Sequence, residues 1–316
     1  MQFLKEQTNF DFMGKRKLAA IFSAVLILIS IASLAMNGLN FGIDFTGGTM
    51  IELGYQEEAD LNKIKATLEQ GGHQDAVVQT FGTIHDVLIR LPIVEGKDMA
   101  SLSNEVVATL QAAHSTAIDV RRAEFVGPQV GEELTEQGGL AMLYALIGIL
   151  IYVSVRFEYR FAIGSVVALV HDVILTLGIF SIFQLQFDLT VLAAILAIIG
   201  YSLNDTIVVF DRIRETFLRQ RKGSPIEIVN RALNDTLSRT IMTSTTTLLV
   251  VISLFVFGGE VIHAFSIALI IGIVIGTYSS IYIASNAVLA MGVSKADLLP
   301  PVRDDDQEVG EDGSQV

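Results

Sequence analysis

The stretch LAAIFSAVLILISIASLAM, residues 18–36, has no charged side chain and follows the basic cluster KRK at 15–17. Nineteen helical residues cover about 28 Å, close to the roughly 30 Å hydrocarbon core of a bilayer. A basic segment, an apolar run and the small residues of SLA at 33–35 would also fit a cleaved signal peptide, but this run is longer than a typical signal-peptide core. We therefore predict a transmembrane helix at 18–36.

Five more apolar runs follow this one. Hydrophobic residues make up 51% of the 316 residues, and their clustering into long runs decides the structural class. The sequence predicts a polytopic α-helical membrane protein with six transmembrane helices. The predicted spans are 18–36, 138–155, 161–183, 189–210, 241–257 and 264–291, the last of which is long enough to tilt.

Lysine and arginine residues are distributed unevenly between the connecting segments, which indicates the orientation. Segments 1–17, 156–160 and 211–240 contain four, two and seven of these residues. Segments 184–188 and 258–263 contain none. Because positive residues favour the cytoplasmic side, we predict an inner-membrane protein with both termini cytoplasmic and residues 37–137 periplasmic. The segments 1–17, 211–240 and 292–316 would be cytoplasmic, and the acidic composition of the last is typical of a solvated tail.

The predicted periplasmic segment alternates between strand and helix patterns. Its four predicted strands and two predicted helices are, in chain order, 46–55, 58–70 (helix), 75–81, 86–91, 97–114 (helix) and 117–126. The order βαββαβ predicts a ferredoxin-like α+β domain between the first and second transmembrane helices.

Composition and motifs exclude several classes of function. The net charge of −13 argues against a nucleic-acid partner, and the absence of cysteine excludes disulfides and thiolate metal sites. The sequence contains no phosphate-binding loop, no dinucleotide fingerprint and no HExxH, and its five histidines lack metal-ligand spacing. We therefore expect no enzyme activity, no cofactor and no bound metal.

Asp205 is an ionisable residue inside the fourth apolar run, towards its predicted cytoplasmic end. A charge at this depth is costly and usually faces a bundle interior or a water-filled cavity. Gly200 would allow a neighbouring helix to approach closely, and Asn204 and Thr206 would hydrogen-bond nearby groups. Two interpretations stay open, a carboxylate that takes up and releases an ion and a polar residue that holds two helices together, and we favour the first.

Three further residues are candidates for a pathway through the membrane. His171 and Asp172 lie near the middle of the third run, where adjacent helical side chains point about 100° apart and cannot both face one partner. For these two, functional and packing roles are both open. Arg239 precedes the fifth run, where it would pair with Asp205, reach lipid headgroups or simply follow the positive-inside rule.

Four motifs resemble those of SecF-like chains in the SecD/SecF family, which are membrane subunits of the bacterial Sec protein-export machinery. They are FGIDFTGGT at 41–49, FVGPQVG at 125–131, GYSLNDTIVVFDRIRE at 200–215 and LSRT at 237–240. The layout of one helix, a large external domain and five more helices also resembles this family, and the likeness extends over roughly residues 10–295.

The resemblance implies partners and roles that composition does not show. It implies pairing with SecD in a twelve-helix unit similar to the proton-driven resistance-nodulation-division transporters. It also implies that the chain cooperates with the SecYEG channel, the SecA motor and YajC. In that family the periplasmic domain is expected to engage the translocating polypeptide. Within this chain it implies a proton-pathway role for Asp205, driven by the proton motive force, with Arg239 as its electrostatic partner.

The family motifs also place several residues at the two junctions of the external domain. Gly42, Asp44, Gly47 and Gly48 follow the first span, and Gly127 and Gly131 precede the second. These glycines would serve either as hinges for a moving domain or as tight turns.

Two other functions remain as alternatives to protein export. One is a proton-coupled small-molecule exporter of the resistance-nodulation-division type, although such exporters usually have two external domains and twelve helices in one chain. The other is a non-catalytic scaffold that holds other membrane subunits.

Overall fold

The computed structural model describes residues 8–93, 99–220 and 223–293, so residues 1–7 and most of the predicted acidic tail lie outside the described part. Within that part, six helices are long and apolar enough to cross a membrane. They are Met13–Asn37, Pro128–Arg156, Tyr159–Ile182, Leu189–Arg219, Pro225–Phe257 and Glu260–Ala290. The predicted six-helix membrane fold is confirmed.

The described elements are, in chain order, α1 (Arg16–Asn37), β1 (Asn40–Phe41), α2 (Ile43–Thr46), β2 (Gly48–Gly54), α3 (Leu61–Gln70), β3 (Val77–Phe81), β4 (Thr83–Leu91), α4 (Met99–Ala113), β5 (Asp119–Val126), α5 (Pro128–Arg156), α6 (Tyr159–Ile182), β6 (Gln186–Phe187), α7 (Leu189–Arg219), α8 (Pro225–Phe257), α9 (His263–Ser279) and α10 (Ser285–Ala290). A π-helical turn, Ser280–Ala284, joins α9 to α10 inside the sixth span.

The predicted loop 211–240 is helical for most of its length, because α7 continues to Arg219 and α8 begins at Pro225. Ser224 and Glu227 form a capping box that satisfies free backbone N–H groups at the start of α8. Pro225 occupies the first helical position, where its missing N–H costs nothing. The apolar pattern therefore marked the membrane-spanning part of the helix, while the polar cap marks where the helix begins.

Helices α6 and α7 form the centre of the bundle. About half of the residues in their most apolar segments are buried, against 17% for α1, 11% for α5 and 17% for α8. The outer helices accordingly present broad apolar faces away from the bundle. Such faces suit lipid or the helices of another membrane protein.

The segment between α1 and α5 folds as an α+β domain. Its antiparallel sheet has the order β3-β4-β2-β5, which is the arrangement of a split βαβ fold. Helices α3 and α4 cover one face of this sheet, with Ile64 and Val106 fully buried against Ile51 and Ile89. The ferredoxin-like βαββαβ order predicted from the sequence is the one observed.

A second, two-stranded sheet joins this domain to the membrane bundle. Strand β1 follows α1 directly and pairs in parallel with β6, which lies in the connection between α6 and α7. The open face of the larger sheet is turned towards the same end of the bundle, across a cavity of about 380 Å³ lined by residues of both parts, including Met50, Leu88 and Ile267.

Candidate functional site

Asp172 is the centre of a hydrogen-bonded group inside the helix bundle and is 1% exposed. Its Oδ2 accepts hydrogen bonds from Ser202 Oγ of α7 at 2.5 Å and from Ser279 Oγ of α9 at 2.7 Å. Its Oδ1 lies 2.8 Å from Nδ1 of His171. Side chains from three helices thus contact one carboxylate, which offsets much of the cost of burying it.

Small residues on α9 allow its hydroxyl groups to reach this carboxylate. A Cβ atom added at Gly276 would lie 3.1 Å from Cβ of Ser202, and one added at Gly272 would lie 2.3 Å from Cγ1 of Ile198. Glycines at a helix interface bring two backbones close together, which favours hydrogen bonds between short polar side chains. The packing of α9 on α7 therefore positions Ser202 and Ser279 on the same carboxylate.

His171 is buried beside Asp172 and reaches a different neighbour. Its ring stacks on Tyr278 with centroids 6.1 Å apart, and Tyr278 Oη donates to the carbonyl of Ala19 at 3.0 Å and lies 2.9 Å from Ser23 Oγ. Nε2 of His171 has no hydrogen-bond partner in the described part of the chain. His171 therefore links Asp172 to α9 and α1 and retains one free ring nitrogen.

Asp205 has more distant hydrogen-bond donors than Asp172, although it is only 2% exposed, and these donors are the hydroxyls of Thr243 and Ser244 on α8. Its Oδ1 lies 3.5 Å from Thr243 Oγ1 of α8, at the limit for a hydrogen bond. The same hydroxyl lies 3.1 Å and 3.0 Å from the carbonyls of Arg239 and Thr240, and it has one proton to share among them. Oδ2 of Asp205 has no partner among the described residues.

Helix α7 brings the surroundings of the two carboxylates together. Ser202 and Asp205 are three residues apart on α7 and therefore share a helix face. Behind them, Ser244 Oγ of α8 lies 2.7 Å from Thr277 Oγ1 of α9. We call the following residues the polar cluster: His171, Asp172, Ser202, Asp205, Thr243, Ser244, Thr277 and Ser279.

Four of the candidates on the fourth and fifth spans lie outside this cluster. Arg239 is exposed, and no ion pair within 4.0 Å joins it to Asp205 in the described ranges. Asn204 is exposed as well. Within the described part of this chain no helix approaches Gly200 closely, because an added Cβ would meet nothing there within 4 Å. The close approaches are at Gly272 and Gly276. Thr206 is buried, and its hydroxyl has no partner among the described residues.

The junction residues form turns and close contacts. Gly47 and Gly48 have φ of +68° and +127°, which side-chain-bearing residues rarely adopt, and a Cβ at Gly131 would lie 3.0 Å from the carbonyl oxygen of Phe45. Gly42 and Gly127 have ordinary extended conformations that any residue can adopt. Asp44 Oδ2 accepts a hydrogen bond from the backbone N–H of Leu189 at 2.9 Å. The geometry at these positions is that of tight turns and close packing.

The hydroxyl donors were not singled out from the sequence. Ser202, Ser279 and Thr243 lie in apolar runs, where serine and threonine commonly bond to a carbonyl of their own helix and carry no distinctive signal. For Ser202, the spacing of three residues from Asp205 was the available signal. Ser279 required the three-dimensional packing of α9.

Known families and proteins are similar to this chain over nearly its whole length. Residues 106–294 match the family described as "Protein export membrane protein SecD/SecF, C-terminal", and residues 32–59 match the "SecD/SecF GG Motif". A protein translocase subunit SecF of Vibrio alginolyticus is 51% identical over 300 residues, 95% of each chain. The SecF proteins of Pseudomonas aeruginosa and Escherichia coli O157:H7 are 50% and 43% identical, over 92% and 94% of this chain and 94% of each relative.

Solved structures show the same fold. A crystal structure of SecDF, a translocon-associated membrane protein from Thermus thermophilus, matches with a TM-score of 0.82 at 37% identity. SecDF in a super-membrane-facing form matches with a TM-score of 0.69. In both cases the match covers 92% of this chain and 39% of the SecDF chain, so this chain spans about two fifths of SecDF. By family motif, by identity along nearly its full length and by fold, the chain belongs to the SecD/SecF family of protein-export membrane proteins.

Proposed function

We propose that this chain is a subunit of Sec-dependent protein translocation that assists export across the bacterial inner membrane by coupling it to proton movement. One observation carries the translocation role. About half of the aligned residues, along nearly the whole chain, are identical to those of proteins named protein translocase subunit SecF. The polar cluster supports the proton coupling, because it places two buried carboxylates among apolar helices.

A SecD-type chain is the proposed direct partner. This chain corresponds to 39% of SecDF, and a SecD-type part would supply the remainder of that unit. The exposed apolar face of α8, with Leu249 and Val250 each 62% exposed, would be covered by that partner. Arg239 is exposed on α8, four residues before Thr243, and would lie at this interface. SecYEG, SecA and YajC are further proposed partners through the resemblance.

Asp205 is the proposed ion-binding carboxylate of the mechanism. When it is ionised, its Oδ2 lacks a donor in this arrangement, so the charge favours a different packing with a donor, water or Arg239 near that oxygen. Protonation removes the charge and favours the packing described here. A proton crossing the membrane supplies about 2.3 kcal/mol per 100 mV, enough to shift such an equilibrium markedly.

The orientation proposed from the positive-inside rule places the α+β domain in the periplasm and both termini in the cytoplasm. The domain would then lie where a translocating polypeptide emerges. Alternation between two packings of the bundle would change the position of this domain relative to the membrane, which is how proton movement would act on the polypeptide.

Replacing Asp205 by Asn tests the proposal in cells depleted of the native protein. We expect maturation of a secreted precursor, followed by pulse-chase, to slow by about tenfold or more, because the side chain can no longer bind and release a proton. Asp211→Asn is the matched control: it removes a carboxylate six residues further along α7 that is 58% exposed and pairs with Arg156 at 3.4 Å, and it should leave export unchanged.

Membrane levels of the variant and of its SecD-type partner are measured in the same cells. Slow export with normal levels supports proton coupling at Asp205. Normal export in the Asp205→Asn cells would leave the chain as a scaffold whose buried carboxylate only holds helices together.

A further inference from the structure

Residues 40–48, which we call the junction segment, are held on one side by the connection between α6 and α7. Asn40 and Phe41 pair in parallel with Gln186 and Phe187. In addition, the N–H of Gly42 donates to the carbonyl of Phe187 at 2.8 Å, and Nδ2 of Asn40 donates to the carbonyl of Gln184 at 2.9 Å. The junction segment is therefore attached next to the point where α7 begins.

Asp44 extends this attachment to α7 itself. The first N–H groups of a helix have no partner within the helix, and the positive end of the helix dipole lies there. Oδ2 of Asp44 accepts from the N–H of Leu189 at 2.9 Å, while Oδ1 of Asp188 accepts from the N–H of Val191, also at 2.9 Å. Two carboxylates thus cap α7, and one of them belongs to the junction segment.

The other side of the junction segment is fixed to the α+β domain by Arg90 of β4. Arg90 is buried, and its guanidinium donates to the carbonyl of Phe41 at 3.2 Å and to the side-chain oxygens of Asn40 and Gln79 at 3.4 Å and 3.3 Å. Burial lowers the pKa of Arg90 from its ordinary value. Burying this charged group costs free energy. Its contacts with Asn40 and Phe41 hold the domain to β1, while Gln79 of β3 helps to fix the guanidinium.

Close packing leaves the junction segment little freedom to bend. A Cβ atom on Gly48 would lie 2.4 Å from the carbonyl oxygen of Leu91, and one on Gly131 would lie 3.0 Å from both Gly47 N and Phe45 O. Phe41, Phe45 and Phe187 have ring centroids 5.6–5.8 Å apart, which adds apolar contact between the segment and β6. These contacts favour a rigid connection over a hinge.

We propose that Asp44 is a positioning residue through which α7 and the α+β domain move as one body. Helix α7 carries Ser202 and Asp205 of the polar cluster. A shift of α7 that follows a change of charge at Asp205 is passed through the capped N-terminus and the β1–β6 pair to the sheet. This inference rests on the proposed function, because it states how the same polar cluster acts on the external domain.

Two substitutions of Asp44, compared in the full chain with its partner, test the coupling. Asp44→Ala removes the acceptor and should slow precursor maturation by about fivefold or more. Fivefold is about the smallest effect typical of energetic coupling between two sites. Asp44→Asn keeps an oxygen acceptor and should retain export within about twofold. Asp60→Ala is the matched control, because Asp60 caps α3 through the N–H groups of Asn62 and Lys63 without touching α7, and it should leave export unchanged.

Hydrogen–deuterium exchange in the same variants reports on the cap directly. Asp44→Ala should speed exchange at the first turn of α7, and Asp44→Asn should not. If exchange at that turn rises and export stays normal, the coupling inference is wrong. The result for Asp205→Asn is measured separately, so failure of the proposed function is distinguished from failure of the coupling.

A cross-link provides a complementary test of rigidity, because it strengthens the connection where the Asp44 substitutions weaken it. The natural chain contains no cysteine, so Asn40→Cys and Gln186→Cys introduce the only two thiols, at facing positions of the parallel strand pair. Neighbouring strands lie about 4.8 Å apart, within reach of a disulfide or of a short thiol-specific cross-linker. A rigid connection predicts that the cross-linked protein supports export within about twofold of its uncross-linked form. If export stops on cross-linking and returns when the cross-link is cleaved, β1 and β6 must separate during export, and the proposal is overturned.

Discussion

At the scale of single residues, the two buried carboxylates differ in how many donors surround them. Asp172 has Ser202 and Ser279 on one oxygen and His171 on the other. Asp205 has only the more distant hydroxyls of Thr243 and Ser244, and its Oδ2 has no hydrogen-bond partner among the described residues. A fully bonded carboxylate is held in one arrangement. A carboxylate with an unpaired oxygen gains from rearrangement when its charge changes, and on this ground we propose the switching role for Asp205 and a fixed role for Asp172.

Ser279→Ala tests the fixed role of Asp172. The substitution removes a 2.7 Å hydrogen bond to a buried carboxylate, so we expect the free energy of unfolding to fall by about 1–2 kcal/mol. Thermal unfolding of the purified protein in detergent measures this as a lower midpoint temperature. Ser266→Ala is the control on the same helix, because Ser266 is equally buried and, among the described residues, bonds only to the carbonyl of Ile262. Equal midpoints for the two variants would mean that Asp172 does not depend on Ser279.

The sequence located the carboxylates because charged residues stand out in apolar runs, and both are buried as expected. It did not reveal the donors, because hydroxyl side chains are common in membrane helices. The ion pair between Asp205 and Arg239 stays a prediction for a chain with its partner present, since Arg239 is exposed in this structure.

At the scale of elements, α1 is attached to the bundle through small residues on α6. A Cβ at Gly178 would lie 2.8 Å from the backbone Cα of Ser30, and Ser33 Oγ lies 2.8 Å from Ser181 Oγ. Without a hydrophobic driving force between helices in lipid, close backbone approach and hydrogen bonds of this kind supply the packing energy. The position of α1 matters for the domain, because β1 follows it directly.

Gly178→Val should separate α1 from α6. The added side chain would clash with the backbone of Ser30, which can give way only if α1 shifts as a whole. We therefore expect the free energy of unfolding to fall by about 2 kcal/mol or more. Gly148→Val is the matched control, because a Cβ at Gly148 meets nothing within 4 Å. Thermal unfolding in detergent and protease resistance in membranes measure both variants. A Gly178→Val protein as stable as the Gly148→Val protein would contradict this packing.

Element types were predictable from periodicity, but some helix ends were not. The βαββαβ order follows from strand alternation and helical spacing. Helix α5 begins at Pro128, ten residues before its apolar run, and α8 begins at Pro225, sixteen residues before its own. An apolar run shows which part of a helix contacts lipid, but it does not show how far the helix continues into water. Those ends are set by capping residues such as Ser224.

At the scale of the whole molecule, the chain has the form of one part of a larger membrane unit. Helices α6, α7, α8 and α9 contribute the polar cluster, while α1, α5 and the outward face of α8 expose much of their apolar surface. The match to two fifths of SecDF fits a partner that covers part of this surface. The junction segment then connects the cluster to the external domain through α7. No pattern in the sequence predicted this link, because it depends on the contact of residues about 145 positions apart.

The central claim is that proton movement through Asp205 assists translocation. Its most direct test uses inverted inner-membrane vesicles supplied with the Sec motor, ATP and a radiolabelled precursor, with and without a proton ionophore. Vesicles that contain the chain should translocate faster than vesicles that lack it, the ionophore should abolish this advantage, and Asp205→Asn vesicles should show no advantage in either condition. An advantage that survives the ionophore, or that Asp205→Asn retains, would contradict the account.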